Sequence, residues 1–214
     1  DVAIASGDTV RITTVSPHAF RIRQAPDDYF PEPGLVRYGV VPVADAAVDY
    51  RTTEAPDAVT VATGEAVLSV SRRDGRVSLS RYGAEVLAPA EAPLASAASG
   101  FRSAFGLVPG ERLYGMGDQT RERIEKRGHL AHMWVRNVGS YVPIPVLLST
   151  RGWGLFVNST WRHYIDAGST HADRLAFGGR RGPLDYFLFV GADLPQLLDR
   201  YTQITGMPRL LPLW

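Results

Sequence analysis

The sequence has 214 residues, of which 45% are hydrophobic and 21% are charged, and its formal net charge at pH 7 is +1. This composition is ordinary for a globular protein, and the length is sufficient for one large β domain or two small ones. The near-neutral charge gives no electrostatic basis for binding nucleic acid or a membrane surface, and no apolar stretch reaches 18 residues. Cysteine is absent, which excludes disulfides and thiolate metal ligands but leaves the cellular compartment open.

Glycine and proline together account for 36 residues, about 17% of the chain, compared with about 12% in average proteins. The excess indicates many turns and therefore many short strands, as in a β-sandwich. In chain order, strands are predicted at Val10–Val15, Phe20–Ile22, Tyr38–Val43, both arms of Val67–Ser80, Val86–Leu87, Phe101–Leu107, Pro143–Ser149, Trp153–Val157, Tyr164–Asp166 and Leu184–Val190.

The hairpin within Val67–Ser80 is the clearest of these elements. Apolar and polar residues alternate on both sides of Asp74-Gly75, and both of these residue types tolerate the positive φ angles of a tight hairpin turn. The segment Ala88–Gly100, in contrast, is rich in Ala, Pro and Ser and has no periodicity. It is predicted to be a long loop within one domain.

The segment from Glu111 to Asn137 is unusual because it combines a Tyr-Gly-Met-Gly turn, a tryptophan and six basic residues. Aromatic rings beside arginine and asparagine are typical of carbohydrate sites, but a solvated charged loop would have the same composition. His129 and His132 lie three residues apart in a segment that does not resemble a helix. On a strand such residues face opposite sides, so no metal site is predicted.

The C-terminal residues predict a helix followed by an apolar run. Asp193 is a suitable N-cap, Pro195 suits the first turn, and Gly206 ends a pattern in which Leu194, Leu197, Leu198 and Tyr201 form one stripe. Leu210–Trp214 is predicted to be the start of a buried strand. Either this run begins a further domain, or it folds back on its own domain.

Several motifs, taken in order, resemble glycoside hydrolase family 31, which contains α-glucosidases and α-xylosidases. The first motif resembles the family's Tyr-Gly-Leu-Gly-Glu turn. The later motifs resemble the family's Arg-Gly dipeptide, its tryptophan-containing strand and the strands that follow. These motifs are Tyr114-Gly-Met-Gly-Asp118, Arg127-Gly128, Met133-Trp134, Pro143-Ile-Pro-Val-Leu-Leu-Ser149, Gly152-Trp-Gly-Leu-Phe-Val-Asn158, Leu184-Asp-Tyr-Phe-Leu-Phe-Val-Gly191, Tyr201, Thr205-Gly206, Pro208 and Pro212-Leu-Trp214. The resemblance covers approximately Phe101 to Trp214.

The resemblance implies an all-β, galactose-mutarotase-like β-sandwich in residues 1–191. It also implies that residues 192–214 are a linker helix and the first strand of a missing (β/α)₈ barrel. Family members are retaining enzymes with two barrel carboxylates about 5–5.5 Å apart. The implied function is therefore that of a non-catalytic N-terminal domain, which has no catalytic residue, metal or cofactor of its own. The implied partners are the catalytic barrel and an α-linked oligosaccharide or glycoside.

In the family, an aspartate shortly after the tryptophan strand reaches the sugar, and the matching residue here is Asn137. An amide carries no charge, so glucose-type recognition is in doubt at this position. The candidate substrate-binding residues are Asn137, Arg136, Trp134 and Tyr141. The alternative is that each of them only supports the framework.

Two other functions remain open. A stand-alone carbohydrate-binding module would need an exposed aromatic platform, which Trp134, Tyr141, Trp153 or Trp161 could supply. An aldose epimerase on the same sandwich would need an acid and a base, and His132 and His163 are the only plausible pair. If a barrel is missing, its contact surface is exposed, and either self-association or disorder of Leu210–Trp214 is expected.

Overall fold

A computed structural model describes residues 1–42, 47–96, 99–118, 123–135 and 141–207. Within these residues the helices are α1 (Gly34–Arg37) and α2 (Leu194–Thr205), and a 3₁₀ turn spans Pro26–Asp28. The strands are β1 (Val2–Ala3), β2 (Thr9–Ser16), β3 (Ala19–Ala25), β4 (Arg51–Glu54), β5 (Ala58–Ala62), β6 (Ala66–Ser71), β7 (Val77–Arg81), β8 (Ala84–Leu87), β9 (Pro89–Ser96), β10 (Gly100–Gly106), β11 (Leu113–Asp118), β12 (Leu130–Met133), β13 (Val142–Ser149), β14 (Trp153–Val157), β15 (His163–Ala167), β16 (Arg174–Gly179) and β17 (Leu184–Val190). None of the described helices is both long and apolar enough to cross a membrane.

The strands form three antiparallel sheets. The first sheet has the order β1-β2-β3-β17-β14-β13-β11, the second β12-β15-β16-β10-β9, and the third β4-β5-β6-β7-β8. One continuous hydrophobic core receives side chains from all three sheets, including Phe20, Leu79, Phe105 and Trp153. The predicted β-sandwich is therefore confirmed.

Helix α2 covers the outer face of the first sheet. Its residue Tyr201 meets Phe156 of β14 edge to face, with ring centroids 5.5 Å apart, and Phe156 stacks on Phe187 of β17. Because β17 has the core on one side and α2 and its surroundings on the other, all seven of its residues are buried. A continuous apolar run, rather than an alternating one, is the expected pattern for such a strand.

The predicted ends of α2 are confirmed. The Asp193 side chain accepts a hydrogen bond from the Gln196 N–H at 2.9 Å, and Gly206 follows the helix with φ of 87°. The predicted apolar stripe is wrong at one position, because Leu198 is 52% exposed whereas Leu197 is fully buried. The strand predicted at Leu210–Trp214 lies outside the described residues.

The predicted hairpin is also confirmed. Strands β6 and β7 pair from Ala66↔Arg81 to Val70↔Val77, and buried and partly exposed residues alternate along β6. Gly75 lies in the turn with φ of 71°, a conformation that glycine adopts without strain.

The strand predicted at Tyr38–Val43 is wrong. Helix α1 ends at Arg37, and the N–H groups of Val40 and Val41 both donate to the carbonyl of Leu35, so this segment closes the helix instead of extending. Tyr38 is 80% exposed, so its side chain is not part of a core. Val43 lies outside the described residues.

The loop predicted at Ala88–Gly100 is also wrong over most of its length, because Pro89–Ser96 forms β9. This strand lies at the edge of the second sheet and pairs with β10. Proline lacks a backbone donor and is tolerated in edge strands, so Pro89 and Pro93 do not prevent pairing. Ala97 and Ala98 lie outside the described residues.

The Tyr-Gly-Met-Gly segment is a bulge within β11 and not a turn between elements. The pairing of β11 with β13 shifts register between Gly115 and Gly117, and the fully buried Met116 has φ of 65°. A Cβ atom on Gly115 would collide with the carbonyl oxygen of Val146. The glycine is therefore required by the close approach of two backbones.

Candidate functional site

Two of the four predicted substrate-binding residues lie at one end of the sandwich. Trp134 follows directly after β12, and Tyr141 directly precedes β13. The Trp134 side chain lies at the surface, with 49% exposure. Arg136 and Asn137 fall within residues 136–140, which lie outside the described residues.

Trp134 and Tyr141 share one acceptor on β12. The Tyr141 hydroxyl donates to the carbonyl oxygen of His132 at 2.9 Å, and the backbone N–H of Trp134 donates to the same oxygen at 3.0 Å. His132 is paired with Tyr164 of β15, so this carbonyl belongs to the sheet framework. Both flanks of the segment between Trp134 and Tyr141 are therefore fixed at the same point.

A cavity of about 400 Å³ opens beside this anchor point and is here called the end cavity. Its walls come from β12, β13, α1 and the segment that follows β14, and its lining includes Trp134, Pro143, Thr160 and Trp161. Trp161 is 46% exposed, so two indole rings border the same space. Apolar walls with exposed indoles are suited to the C–H faces of a sugar ring.

Helix α1 fixes the Thr160 side of the end cavity. A Cβ atom added to Gly34 would lie 2.9 Å from Oγ1 of Thr160, so the helix and the segment after β14 are in close contact. A larger residue at this position would require the Thr160 side chain to move.

An ion-pair chain ties the residues before α1 to the first sheet. Arg21 makes two hydrogen bonds to Asp185 at 2.6 and 3.1 Å and a third to Glu32 at 2.8 Å, and Arg23 donates to Glu32 at 2.9 Å. Burial acts to raise the pKa of Glu32, but its hydrogen bonds to the arginines outweigh burial and hold that pKa below its usual value. Glu32, two residues before α1, is thereby held as a carboxylate.

His163 lies beneath the end cavity with only 3% exposure. Its Nδ1 lies 2.7 Å from the carbonyl oxygen of Trp161, and since a carbonyl only accepts, Nδ1 carries the proton. Nε2 is buried and has no hydrogen-bond partner among the described residues. Burial lowers the pKa of His163 despite the opposing hydrogen bond, so the ring is neutral.

The basic segment before β12 is structural where it is described. Arg127 donates hydrogen bonds to the carbonyls of Val108, Glu111 and Ala172, and Lys126, which is 5% exposed, donates to the carbonyl of Arg123. Neither side chain is free for a sugar, and neither is simply solvated. Among the described His, Asp and Glu residues, no group of three or more is placed to hold a metal ion.

The proposed histidine pair of an epimerase does not converge. In the pairing of β12 with β15, His132 lies opposite Tyr164 and His163 lies opposite Met133. Neighbouring positions along a strand face opposite sides, so His132 and His163 occupy opposite faces of the second sheet, although both residues line one cavity of about 720 Å³. Asp166, a possible carboxylate partner, instead accepts from the N–H groups of Ser169 and Thr170.

Of the aromatic residues considered as a platform, Trp153 is excluded. It is fully buried, and its indole N–H donates to Glu111 at 2.8 Å.

The sequence did not indicate Leu35, Pro143 or Thr160 as residues of the end cavity, because only the packing of α1 and β13 beside β12 brings them together.

The model of the family described as "Glycosyl hydrolase 31 N-terminal galactose mutarotase-like domain" matches residues 9–166. The chain belongs to this family. The resemblance seen in the motifs is therefore confirmed, and the fold is the predicted galactose-mutarotase-like β-sandwich.

Curated relatives and solved structures agree with this assignment. The chain is 32% identical over 109 residues to alpha-xylosidase XylQ of Lactiplantibacillus pentosus, covering 49% of this chain and 14% of that protein. It is 25% identical over 181 residues to alpha-glucosidase 2 of Bacillus thermoamyloliquefaciens, covering 78% of this chain and 23% of that protein. The chain thus spans less than a quarter of the length of these relatives.

Among solved structures, a family 31 dextranase of Flavobacterium johnsoniae complexed with glucose superposes with a TM-score of 0.82 at 18% identity. The match covers 96% of this chain and 26% of that chain. A family 31 alpha-xylosidase from a soil metagenome, complexed with xylose, also superposes with a TM-score of 0.82 at 18% identity, covering 96% and 33% of the two chains. At this identity the similarity supports the fold.

Proposed function

We propose that the chain is the non-catalytic N-terminal sandwich of a retaining α-glycosidase that acts on α-glucosides or α-xylosides. In this proposal the sandwich supports a catalytic barrel and lends it the segment between Trp134 and Tyr141. The observation that carries the proposal is the double hydrogen bond to the His132 carbonyl, which fixes both flanks of that segment beside two exposed indoles.

Fixing the flanks matters because a substrate-binding loop must hold its side chains in place before the sugar arrives. Ordering a loop on binding costs affinity, and a preorganised loop avoids that cost. We propose that Asn137 and Arg136 contact sugar hydroxyls, that Trp134 packs on a sugar face, and that Tyr141 holds the segment. The amide at Asn137 replaces a carboxylate of the family and is proposed to alter the choice of sugar.

The activity of this chain alone is the first test. Both carboxylates of a family 31 active site lie in the barrel, so purified residues 1–214 are expected to release no aryl group from aryl α-glucosides or α-xylosides. Measurable turnover that co-purifies with the chain would contradict the proposal. Reading the native coding sequence beyond Trp214 complements this test, because a stop codon there would remove the proposed barrel.

The contribution of the segment is tested in the full-length protein. Trp134→Ala is expected to raise KM roughly tenfold or more, which is the effect of losing about 1.4 kcal/mol of contact energy. Asn137→Asp is expected to raise kcat/KM for α-glucosides relative to α-xylosides. Tyr82→Ala is the control, because Tyr82 is a 67% exposed aromatic residue in a turn of the third sheet. Equal effects of all three substitutions would refute a role for the segment.

The alternative of a stand-alone carbohydrate-binding module is not favoured, because the family that matches is named for a domain of glycosyl hydrolases. It makes a different prediction, since residues 1–214 alone would bind neutral α-linked oligosaccharides through Trp134 and Trp161.

A further inference from the structure

A cavity with a volume of about 720 Å³ lies along the second sheet, lined by residues of its outer face and also by Phe101, His163 and Gly179. We call it the sheet cavity. Its floor is a single row of paired residues across five strands. The pairs are Leu94↔Arg102, Arg102↔Gly178, Gly178↔Tyr164 and Tyr164↔His132, and all five residues line the cavity. Directly paired residues share a face of the sheet, so the register places these groups side by side.

Gly178 keeps the middle of this row open. A Cβ atom at this position would lie 2.6 Å from the carbonyl oxygen of Phe101 and 3.2 Å from the Tyr164 hydroxyl. No other residue fits without displacing backbone. The glycine leaves a flat depression with the Arg102 guanidinium on one side and the Tyr164 hydroxyl on the other.

The charged side chains that line the sheet cavity are basic, although the carboxylates of Glu91 and Asp166 are close enough to act on Tyr164. Four arginines line it, namely Arg102, Arg162, Arg180 and Arg181, and no described Asp or Glu does. The Arg102 guanidinium forms a salt bridge at 3.3 Å with Glu91 of β9. Glu91 also forms a salt bridge with Arg174 of β16. Within the described chain the other three arginines form no salt bridge. Since the whole chain has a net charge of only +1, this concentration is local.

An exposed aromatic ring borders the sheet cavity. Trp161 lines the sheet cavity as well as the end cavity, and it packs against Gly182, where a Cβ atom would collide with the indole. That contact orients the ring while leaving 46% of the residue exposed. An exposed indole suits the C–H face of a sugar, whereas bidentate arginines suit a carboxylate.

The polar groups of the floor complement such a ligand. Burial raises the pKa of Tyr164 although the nearby Arg102 opposes it, so at neutral pH the phenol keeps a proton with which it can hydrogen-bond a ligand. His132 lies next to it in the row. The volume is within the range of about 300–1,000 Å³ that small-ligand sites occupy.

We propose that the sheet cavity is a binding site for an acidic carbohydrate, a short oligosaccharide that carries a uronic acid unit. The carboxylate lies against Arg102 and the rim arginines, a sugar ring stacks on Trp161, and hydroxyls meet Tyr164 and His132. This assignment does not depend on hydrolysis by a parent enzyme, and it predicts binding to the chain of residues 1–214 by itself.

The test is calorimetric titration of residues 1–214 with digalacturonic acid, with maltose as the neutral ligand and inorganic phosphate as the simple anion. Digalacturonic acid is expected to bind at least tenfold more tightly than either, and its affinity is expected to fall as salt rises from 50 to 200 mM because the contact is ionic. Equal binding of maltose, equal binding of phosphate, or no binding of digalacturonic acid would each overturn the proposal.

Variants localise the site. Arg102→Gln and Tyr164→Phe are each expected to weaken binding, the first by tenfold or more, because a hydrogen bond to a charged group is lost. Arg73→Gln is the matched control, since Arg73 is an exposed arginine in the hairpin turn of the third sheet. The Trp161 indole N–H signal in NMR spectra is expected to shift on binding, which reports on the site even if one variant folds poorly. Unchanged affinity in both variants, or an unshifted Trp161 signal, would refute this location.

Competition by a short single-stranded DNA or a poly-glutamate peptide completes the test. The proposal expects neither to displace digalacturonic acid when each is at the same charge concentration. Displacement by either would show a general polyanion surface instead of a carbohydrate site.

Discussion

The hydroxyl of Tyr141 lies 2.9 Å from the carbonyl oxygen of His132, the same oxygen that accepts a hydrogen bond from the backbone N–H of Trp134. One carbonyl on β12 thus holds both flanks of the segment that the motifs associate with a sugar. His132 also lines the sheet cavity, and Trp161 and His163 line both cavities, so the two candidate sites of this domain are adjacent.

Removing the hydroxyl of Tyr141 tests this anchor. Tyr141→Phe is expected to lower the free energy of unfolding by only about 0.5–1.5 kcal/mol, because one hydrogen bond is lost. Hydrogen exchange of the amides from Met133 to Val142 is expected to speed up. Tyr82→Phe, an exposed tyrosine in the third sheet, serves as the control. Unchanged exchange in Tyr141→Phe would show that the flanks are held by other contacts.

The buried pair of Arg21 and Asp185 is expected to dominate over surface pairs. Arg21→Met removes the cation beside a fully buried carboxylate, which costs about 3–5 kcal/mol. Arg11→Met breaks a surface ion pair in which the side chains of Arg11 and Asp1 are 36% and 48% exposed. This substitution is expected to lower the free energy of unfolding by less than about 1 kcal/mol. For a domain of this size the first change corresponds to a lower Tm by roughly 6–20 °C, measurable by calorimetry. Similar losses in both variants would contradict this ranking.

Stability is expected to fall as the pH drops from 7 to 5. Burial lowers the pKa of His163 in the folded protein, so the unfolded chain binds the proton more tightly. The folded state is therefore most favoured above the unfolded pKa of about 6.5, and stability decreases as the pH falls toward the folded pKa. His18 and His129, whose pKa values burial also lowers, act in the same direction.

Urea denaturation at pH 7, 6 and 5 measures this dependence. His163→Gln is expected to be less stable at pH 7 but to show a shallower decline. The exposed His171→Gln is the control and is expected to leave the slope unchanged. A slope in His163→Gln as steep as that of the unchanged protein would assign the effect to other groups.

The bulge in β11 predicts unequal tolerance of two glycines. At Gly115, with φ of 126°, alanine adds strain and a collision with the backbone of Val146, so a loss of more than about 3 kcal/mol is expected. At Gly110, with φ of 78°, an added Cβ meets nothing within 4 Å, and the loss is expected to be about 1–2 kcal/mol. Chemical denaturation measures both, and equal losses would show that the collision is relieved cheaply.

Self-association is expected if the end of the sandwich normally contacts a barrel. Trp134 and Val135 line the end cavity after β12 and are 49% and 73% exposed, and Val142 at the start of β13 is 56% exposed. Sedimentation velocity is expected to show concentration-dependent association that Val135→Ser reduces. A monomer that binds no apolar dye, at any concentration tested, would count against a covered surface.

Elements with a complete local signal were predictable from the sequence. The β6–β7 hairpin contains Asp74-Gly75 between alternating arms, and α2 has both a capping aspartate and a terminating glycine. Such signals depend on neighbours in the chain, so they need no tertiary information.

Elements that depend on pairing were not predictable. β9 contains two prolines, and β16 ends in Gly178 and Gly179. Both strands form because partners on β10 accept them, and at Gly178 the glycine is required by those partners. Tertiary context therefore overrides local propensity at these positions.

The two candidate sites also depend on tertiary structure, which limits what the sequence alone can predict of them. The structure places Trp134 after β12 and Tyr141 before β13, and their shared acceptor is a backbone carbonyl, which no side-chain pattern reveals. The sheet cavity depends on the register of five strands from separate parts of the chain. Arg180 and Arg181 are adjacent in the sequence, but Arg102 and Arg162 come from distant parts of the chain, and only the fold brings the four together.

The pairing of β3 with β17 joins residues 19–25 to residues 184–190, near opposite ends of the described chain. During synthesis, β3 must therefore wait for its partner while the intervening residues emerge. At about 5–20 residues per second the delay is roughly 8–30 seconds. Throughout that interval the β2–β3 hairpin has an unpaired apolar edge, so a ribosome-bound chain exposes a strand that can pair wrongly or bind a chaperone.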